Sequence, residues 1–343
     1  MIAVALAERG LVPEALVRFG IRRRLRNVRD RLYGDGLRDG NGAARFAQQL
    51  ARGPAALEQD RVNRQHYELP PEFFAAFLGK WRKYSCCYWP KGVTDLDEAE
   101  EAMLELTAAR AGIEPGQSVL DLGCGWGSFS LWAAERFPDI TVHALSNSTA
   151  QIEHIRRQGF LRGLPNLAAE TADVTCYETS KRFDRVVSVE MVEHIRNWRD
   201  LMKRVSSWLN PGGKCFLHFF CHKEWPYLFS DEDPADWMGY HFFAGGMMPS
   251  FDLPVYFNEA LEAEASWAVN GSHYVLTLEA WLRRLEHNRH EARQILEKTY
   301  GSSWRVWENR WRIFLMACSE LFATSGGDEW FVAHYLLKKG RFD

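Results

Sequence analysis

The stretch QSVLDLGCGWG, residues 117–127, joins a short apolar segment to three glycines at alternate positions. The apolar part is typical of a buried β-strand, and glycine lets the backbone after it adopt a positive φ and approach a ligand closely. The dinucleotide fingerprint GxGxxG has its third glycine one residue later than Gly127. With Asp121 two residues before Gly123, the spacing favours a ligand with an amino-acid tail, whose ammonium an acid can hold, over a pyrophosphate. A tight strand–helix turn without a ligand is the alternative.

Short apolar runs and helical patterns alternate through the middle of the chain. This alternation predicts an α/β fold, with a parallel sheet covered by helices on both faces and ligands at the carboxyl ends of its strands. The predicted strands are residues 117–123, 140–146, 167–173, 183–189 and 214–220, and the predicted helices are residues 128–137, 149–159 and 197–209, with a turn at 210–213.

Three titratable side chains follow the fourth predicted strand, in the stretch SVEMVEH at residues 188–194. Glu190 ends the strand, and Glu193 and His194 are neighbours in the turn after it. A solvated helix start is one explanation, because acidic residues favour the positive end of the helix dipole. A place at the carboxyl edge of the sheet favours the other explanation, a cluster that manages protons on a bound substrate.

Composition narrows the class of protein. The 343 residues carry a net charge of −3, which argues against a nucleic-acid partner, and seven scattered cysteines without a CxxC pair, which predict reduced thiols. No helical pair of ligands surrounds His194 or His218, so no metal site is predicted. No apolar run reaches the length of a membrane span, and the N-terminus lacks the pattern of a secretory signal. We therefore expect a cytoplasmic protein.

Residues 17–32 depart from this neutral average, with seven arginines against one aspartate. Apolar residues recur among them at helical spacing, at Val17, Ile21, Leu25, Val28 and Leu32. An amphipathic basic helix of this kind can lie on an anionic membrane surface, and the alternative is a surface helix that packs on the main domain.

The glycine loop resembles the first motif of class I methyltransferases that use S-adenosylmethionine, and further segments extend the resemblance over nearly the whole chain. They are similar to the cyclopropane fatty acid synthase superfamily, and from VEMVEH onward they look most like its coclaurine and pavine N-methyltransferases. The segments are HYELPPEFF (66–74), YSCCYWP (84–90), VEMVEH (189–194), CHK (221–223), FFAGGMMPS (242–250), NGSHY (270–274) and EWFVAHYLLKK (329–339).

The resemblance implies a Rossmann-like, seven-stranded sheet with a final antiparallel strand at 329–339, a helical cap and an N-terminal helical extension. Residues 1–110 would form the extension and part of the cap, residues 111–221 the cofactor-binding core, and residues 222–343 the rest of the cap with the last two strands. Within the last region, the insert at 222–262 and the helices of 277–322 would belong to the cap.

S-adenosylmethionine is the cofactor that the resemblance implies. The second strand ends in Leu145-Ser146-Asn147 and lacks the ribose-binding acid of the commonest methyltransferases. Hydroxyl and amide side chains replace that acid in the synthase superfamily. The matching residues are Tyr84, Ser85, Gly123 and Gly125 at the methionine end, Ser146 and Gln151 at the ribose, and Asp173 at the adenine.

In the N-methyltransferase branch the substrate is a small amine, of aromatic or tetrahydroisoquinoline type. An alkylamine with a pKa of about 10 is neutral in only roughly one molecule per thousand at pH 7, so its proton must be removed before the lone pair can react. Glu190 would hold the ammonium, and Glu193 and His194 would accept its proton. Tyr67 and Glu68 match further residues that contact the amine. Aromatic residues expected to close over the site are Trp89, Trp237, Tyr240, Phe242 and Phe243, and Trp330 is a further candidate for contact with the substrate.

The alternative is a lipid methyltransferase of the cyclopropane synthase type, which uses a bound bicarbonate. Its ligands in this chain would be Cys86, Glu193, His218 and Tyr274. Glu190 stands where such synthases commonly have glycine, and the extra carboxylate suits a cationic substrate better than an acyl chain. His218 and Cys86 also fit simple core packing. A non-catalytic cofactor-binding protein is a third hypothesis, and a homodimer is left open.

Overall fold

The structure is a computed structural model that describes residues 2–36, 42–53, 69–230 and 236–339. Nine strands lie in these ranges: β1 Ser118–Leu122, β2 Thr141–Ser146, β3 Leu167–Thr171, β4 Phe183–Val189, β5 Leu209–His222, β6 Tyr227–Leu228, β7 Met247–Met248, β8 Leu261–Val269 and β9 Trp330–Lys339.

Seven of these strands form the central sheet, in the order β3-β2-β1-β4-β5-β9-β8. Strands β1 to β5 pair in parallel, whereas β9 runs antiparallel to both of its neighbours. The order reverses between β1 and β4, so the loops after these two strands lie side by side. Ligands of open α/β sheets bind at such a point.

Helices cover the sheet and build a cap over its carboxyl edge. Side-chain caps begin several of them: Asp95 accepts from the N–H of Glu98, and Asn197 accepts from the N–H of Asp200. The helices are α1 Ile2–Glu8, α2 Glu14–Gly36, α3 Gly42–Leu50, α4 Pro71–Ala75, α5 Leu96–Ala111, α6 Ser128–Arg136, α7 Thr149–Leu161, α8 Trp198–Trp208, α9 Trp237–His241, α10 Gly271–His287, α11 Arg289–Tyr300 and α12 Trp304–Phe322.

The predicted strands and helices of the middle of the chain are confirmed, and one boundary differs by more than two residues. Strand β5 is assigned from Leu209, so it includes the predicted turn at 210–213. The chain still bends there, because Gly212 has a φ of 76° and the residues between Leu209 and Lys214 have no partner in the register with β4. The sheet's seventh strand, β8, overlaps the end of the predicted cap insert.

A hydrophobic cluster centred on the cap lies beside the two that cover the faces of the sheet. Phe73, Trp281 and Trp311 are buried at its centre, and the rings of Phe73 and Trp311 lie 5.1 Å apart. Sheet residues such as Phe220 and Val332 belong to the same cluster, so the cap packs directly on the edge of the sheet and holds a site against it.

Helix α2 contains the predicted amphipathic segment, and its apolar face is turned inward. Val17, Ile21, Val28 and Leu32 pack against the core of the cap. Arg18 donates to Glu279 at 2.8 Å. These contacts favour a packed surface helix over one that lies on a membrane. No helix in the described ranges is long and apolar enough to cross a membrane.

Candidate active site

Glu190 follows β4 directly, at the reversal of strand order. Its φ is 48°, in the left-handed region that residues other than glycine rarely adopt. Its backbone N–H donates to the carbonyl of His218, 2.7 Å away on β5. This turn places the Glu190 side chain between the sheet and the cap, where only 9% of it is exposed.

Groups from three separate parts of the chain converge on the Glu190 carboxylate. The backbone N–H of Cys86 donates to Oε1 at 3.0 Å, and the hydroxyl of Tyr274 donates to Oε2 at 2.7 Å. Nε2 of His218 lies 3.2 Å from Oε1. These are three of the four bicarbonate ligands of the lipid alternative. The structure gathers them around a carboxylate that the chain itself supplies.

Lys83 is buried beside this cluster and donates to the carbonyl of Cys86 at 2.8 Å and to the hydroxyl of Ser85. Burial raises the pKa of Glu190, while the charge of Lys83 and the hydrogen bonds from Cys86 and Tyr274 lower it. Ser85, predicted to contact the cofactor, therefore also holds the ammonium that faces Glu190.

His194 lines a cavity next to Glu190. Burial lowers the pKa of His194 to about 4, so its imidazole is neutral at pH 7. Its ring is nearly parallel to that of Phe243, with the centroids 6.1 Å apart. Its Nδ1 is buried without a hydrogen-bond partner in the described part of the chain. A neutral imidazole at the wall of the cavity can accept a proton from a molecule bound there.

Glu193 points away from that cavity. Its Oε1 accepts from the backbone N–H of Phe220 at 2.8 Å. Burial and the nearby charge of Glu190 raise the pKa of Glu193 well above its usual value. The Glu193 side chain does not line the cavity and its hydrogen bond goes to β5, so the geometry gives no support to the predicted role of base.

The cavity has a volume of about 1050 Å³ and lies between the edge of the sheet, the cap and α2. Its wall is mostly apolar and includes Tyr84, Phe229, Phe243 and Trp281, together with the inner face of α2. A space of this kind fits a bulky amine, with aromatic faces that attract a cation.

Several predicted aromatic contacts fall outside this wall. Trp237 and Phe243 line the cavity as expected. Phe242 stacks instead on Phe314 in the core of the cap, at 4.3 Å. Trp330 is fully buried behind Tyr227 and donates to its hydroxyl at 3.2 Å. Register explains the displacement of Trp330, because it begins β9 and pairs there with His222, the last residue of β5. Trp89 and Tyr240 do not line the cavity either, since Trp89 binds Thr277 and Tyr240 is exposed.

The loop after β1 fits the amino-acid end of S-adenosylmethionine. Gly123 and Gly125 have φ values of 79° and 52°. A Cβ on Gly123 would lie 2.3 Å from Cγ of Met191, in the turn after β4. A Cβ on Gly125 would meet no protein atom within 4 Å, so this position faces open space. Gly125 thus leaves room for a ligand, whereas Gly123 lets the two loops touch.

The predicted ribose contacts lie at the end of β2. The Ser146 hydroxyl donates to Oε1 of Gln151 at 2.7 Å. Nε2 of Gln151 is buried and has no partner among the described residues. An unpaired buried amide is costly, and a ribose hydroxyl would satisfy it. These residues fit the cofactor.

Two carboxylates of the predicted cofactor site bind the protein instead. Asp121 is buried and accepts a hydrogen bond from the Ser130 hydroxyl at the start of α6. This contact gives no support to the predicted contact between Asp121 and the cofactor's ammonium. Burial raises the pKa of Asp121 to about 6. Asp173 accepts from the N–H and the hydroxyl of Thr175, both at 2.8 Å, and remains half-buried at the end of β3. The adenine contact of Asp173 stays a prediction.

Comparison with known proteins agrees with this geometry. The sequence model of the family described as mycolic acid cyclopropane synthetase matches residues 56–329. The chain belongs to this family.

Relatives within the cyclopropane synthetase family favour its N-methyltransferase branch. Pavine N-methyltransferase of Thalictrum flavum subsp. glaucum is 36% identical over 298 residues, which are 86% of this chain and 84% of that protein. The crystal structure of coclaurine N-methyltransferase bound to N-methylheliamine and SAH covers 98% of this chain and 99% of its own, with a TM-score of 0.93 and 34% identity. Cyclopropane-fatty-acyl-phospholipid synthase of Escherichia coli (strain K12) is 29% identical over 65% of this chain and 56% of its own length.

This member of the cyclopropane synthetase family is a methyltransferase that uses S-adenosylmethionine, as predicted. Tyr67 and Glu68, the two further amine contacts predicted for it, lie outside the described residues. Lys83 was missed, because a lysine before Tyr84 has no pattern that marks it as buried.

Proposed function

We propose that this enzyme methylates the nitrogen of a small amine, and that the Glu190 carboxylate occupies the place that bicarbonate has in the lipid-modifying synthases. The observation that carries the proposal is the convergence of Cys86, His218 and Tyr274 on Glu190. Each of these groups has one hydrogen to donate and already donates it to Glu190, so none is left for a bound anion.

The charge at the site suits a cationic acceptor. A protonated amine in the cavity meets Glu190 on one side and aromatic rings such as Phe243 and Trp281 on the other. A buried carboxylate attracts a cation strongly because little water screens the interaction. Glu190 therefore holds the ammonium group and orients its nitrogen.

The acceptor must lose one proton for each methyl group that it gains. S-adenosylmethionine supplies a methyl group on a sulfonium, which needs alignment rather than activation. His194 is neutral and borders the cavity, so we assign it as the proton acceptor. The charge of Glu190 stabilises the imidazolium that forms, because it raises the pKa of His194 against the effect of burial.

A methyl-transfer screen read by mass spectrometry tests the function. Arylalkylamines and tetrahydroisoquinolines are compared with vesicles of unsaturated phospholipid, each with and without added bicarbonate. We expect methylated amine, formed without a need for bicarbonate. Methylated or cyclopropanated lipid, formed only with bicarbonate, would instead support the lipid alternative.

Two further partners stay predictions. Membrane contact through residues 17–32 would have to use the outward arginines, since the apolar face of α2 is already packed. Vesicle binding that disappears at high salt would support such contact.

A homodimer is tested by the mass of the protein in solution.

A further inference from the structure

A chain of hydrogen bonds runs from Glu190 through the sheet to the end of α5. Nδ1 of His218 lies 2.9 Å from Nε2 of His334 on β9. Nδ1 of His334 lies 2.6 Å from Nη1 of Arg110. Both histidines are fully buried, whereas Arg110 is half-buried with its guanidinium 4.8 Å from the ring of Trp267. This chain of hydrogen bonds therefore connects the edge of the fold to the acceptor site.

Arg110 fixes the direction of every hydrogen bond in this chain. A guanidinium only donates, so Nδ1 of His334 must be the acceptor. Burial lowers the pKa of His334 and of His218 well below the usual value, so each ring is neutral and carries one N–H. His334 then carries its proton on Nε2 and donates to Nδ1 of His218. His218 in turn carries its proton on Nε2 and donates to Glu190.

The same order excludes the chain as an outlet for the substrate's proton. A proton that moved outward from Glu190 would need an acceptor at Nε2 of His218 and another beyond His334. Nε2 of His218 already carries hydrogen, and Arg110 offers no acceptor. Three aligned donors instead direct the positive charge of Arg110 toward the carboxylate, since linked hydrogen bonds polarise one another.

We propose that Arg110 and His334 are positioning residues that set the tautomer of His218 and thereby keep Glu190 ionised and turned toward the amine. This inference rests on the proposed function of Glu190, but the tautomers themselves do not depend on any substrate. Neither Arg110 nor His334 touches the cavity, so each acts only through the chain.

Other charged and titratable groups also face Glu190 and stay constant in the comparison below. They come from each element packed against it: Lys83, Cys86 and Cys87 from the loop before α5, Glu193 and His194 from the turn after β4, Tyr274 from α10 and Cys318 from α12.

Nuclear magnetic resonance of the ¹⁵N-histidine-labelled protein, without ligands, tests the chain directly. We expect both His218 and His334 as the Nε2–H tautomer, assigned through the loss of each signal in His218→Gln and His334→Gln. Arg110→Met removes the donor that sets the order, so a share of His218 should become Nδ1–H. Arg110→Lys restores a donor and should restore the original spectrum. An Nδ1–H tautomer of either ring in the unmodified protein would overturn the proposal.

Kinetics give the second readout. In Arg110→Met the acidic limb of the amine's kcat/KM profile should move to higher pH, because the ionised form of Glu190 is less favoured. Each unit of such a shift lowers the ionised fraction about tenfold below the pKa. The matched control is Arg185→Met, since Arg185 donates to the carbonyls of Ala111 and Gly112 beside Arg110 but has no link to the histidines.

Arg185→Met should lower the melting temperature and leave the acidic limb in place. If Arg110→Met changed neither tautomer nor acidic limb, the positioning role would be refuted. If no amine were methylated while both rings stayed Nε2–H, the proposed function would be refuted, but the proposed order of hydrogen bonds from Arg110 to Glu190 would be supported. The two failures are therefore distinguishable.

Discussion

At Glu190, a left-handed backbone and a nearly buried carboxylate occur in one residue. A backbone of this kind in a residue other than glycine costs about 1–3 kcal/mol, and such strain persists where the surroundings determine it. Hydrogen bonds from Cys86 and Tyr274, together with the ammonium of Lys83 nearby, are those surroundings. They hold the carboxylate where a cationic substrate would meet it.

His194 offers a separate test of the proton acceptor. His194→Ala should lower kcat by about 10²-fold, the range of general base catalysis. The loss should shrink as the pH rises, because more amine then arrives neutral. In the unmodified enzyme, protonation of His194 should not limit activity until the pH falls toward about 4, its pKa in the fold. A loss that stays constant with pH would contradict the role of base.

The sequence predicts which residue types lie at the site but not how they are oriented. Five of these residues could be identified from their position in a motif or from the family resemblance: Glu190, His194, Cys86, His218 and Tyr274. The orientation of the Glu193 side chain could not be predicted in this way, because it depends on the backbone N–H of Phe220 in another strand. Burial also raises the pKa of Glu193, and a single sequence does not state burial.

Among the elements, the glycine loop after β1 allows a clean test of cofactor binding. Gly125→Ala adds a carbon that meets no protein atom, so a loss of S-adenosylmethionine affinity would report the ligand's approach. Gly116→Ala is the control, since Gly116 also has a positive φ, 81°, and open space around it. Calorimetry should show weaker binding for Gly125→Ala alone. If both variants bound S-adenosylmethionine as tightly as the unmodified protein, the cofactor would not contact this loop.

Helix α2 is expected to limit the size of the substrate. Ile21 lines the cavity, so Ile21→Trp should raise the KM of a bulky amine several-fold and leave cofactor affinity unchanged. Phe19→Trp is the matched control, because Phe19 is 54% exposed on the other side of the helix. An identical KM for both variants would argue that the substrate does not reach α2.

The elements also divide into those that periodicity predicts and those it does not. The alternation of strands and helices from residue 117 to 220 located five strands correctly. Four of them are mostly buried apolar runs between turns, and only β3 is a partly exposed edge strand. Periodicity did not locate strand β8, because its sequence LEAEASWAV alternates acidic and small residues on an exposed edge. The basic pattern of α2 could not decide between membrane and protein, because both bury the same apolar face.

Over the whole molecule, the acceptor site lies where the sheet and the cap meet. Cys86 and Tyr274 belong to the cap, His218 belongs to the sheet, and Glu190 joins them. The family, the α/β methyltransferase fold and the N-methyltransferase branch were predicted from the sequence and are confirmed by the relatives. The predicted division at residues 110 and 221 stays a prediction.

The central claim is that Glu190 replaces a bound bicarbonate. Glu190→Gly removes the carboxylate, relieves the positive φ and leaves the donors of Cys86, His218 and Tyr274 free for an anion. Glu190→Gln is the control, because its amide still fills the place without the charge.

The decisive measurement is the rate of amine methylation by these two variants as bicarbonate is added. We expect both to be slow without it, and Glu190→Gly to recover in a saturable manner while Glu190→Gln does not respond. Full activity of Glu190→Gly without bicarbonate, or the same response in both variants, would contradict the account.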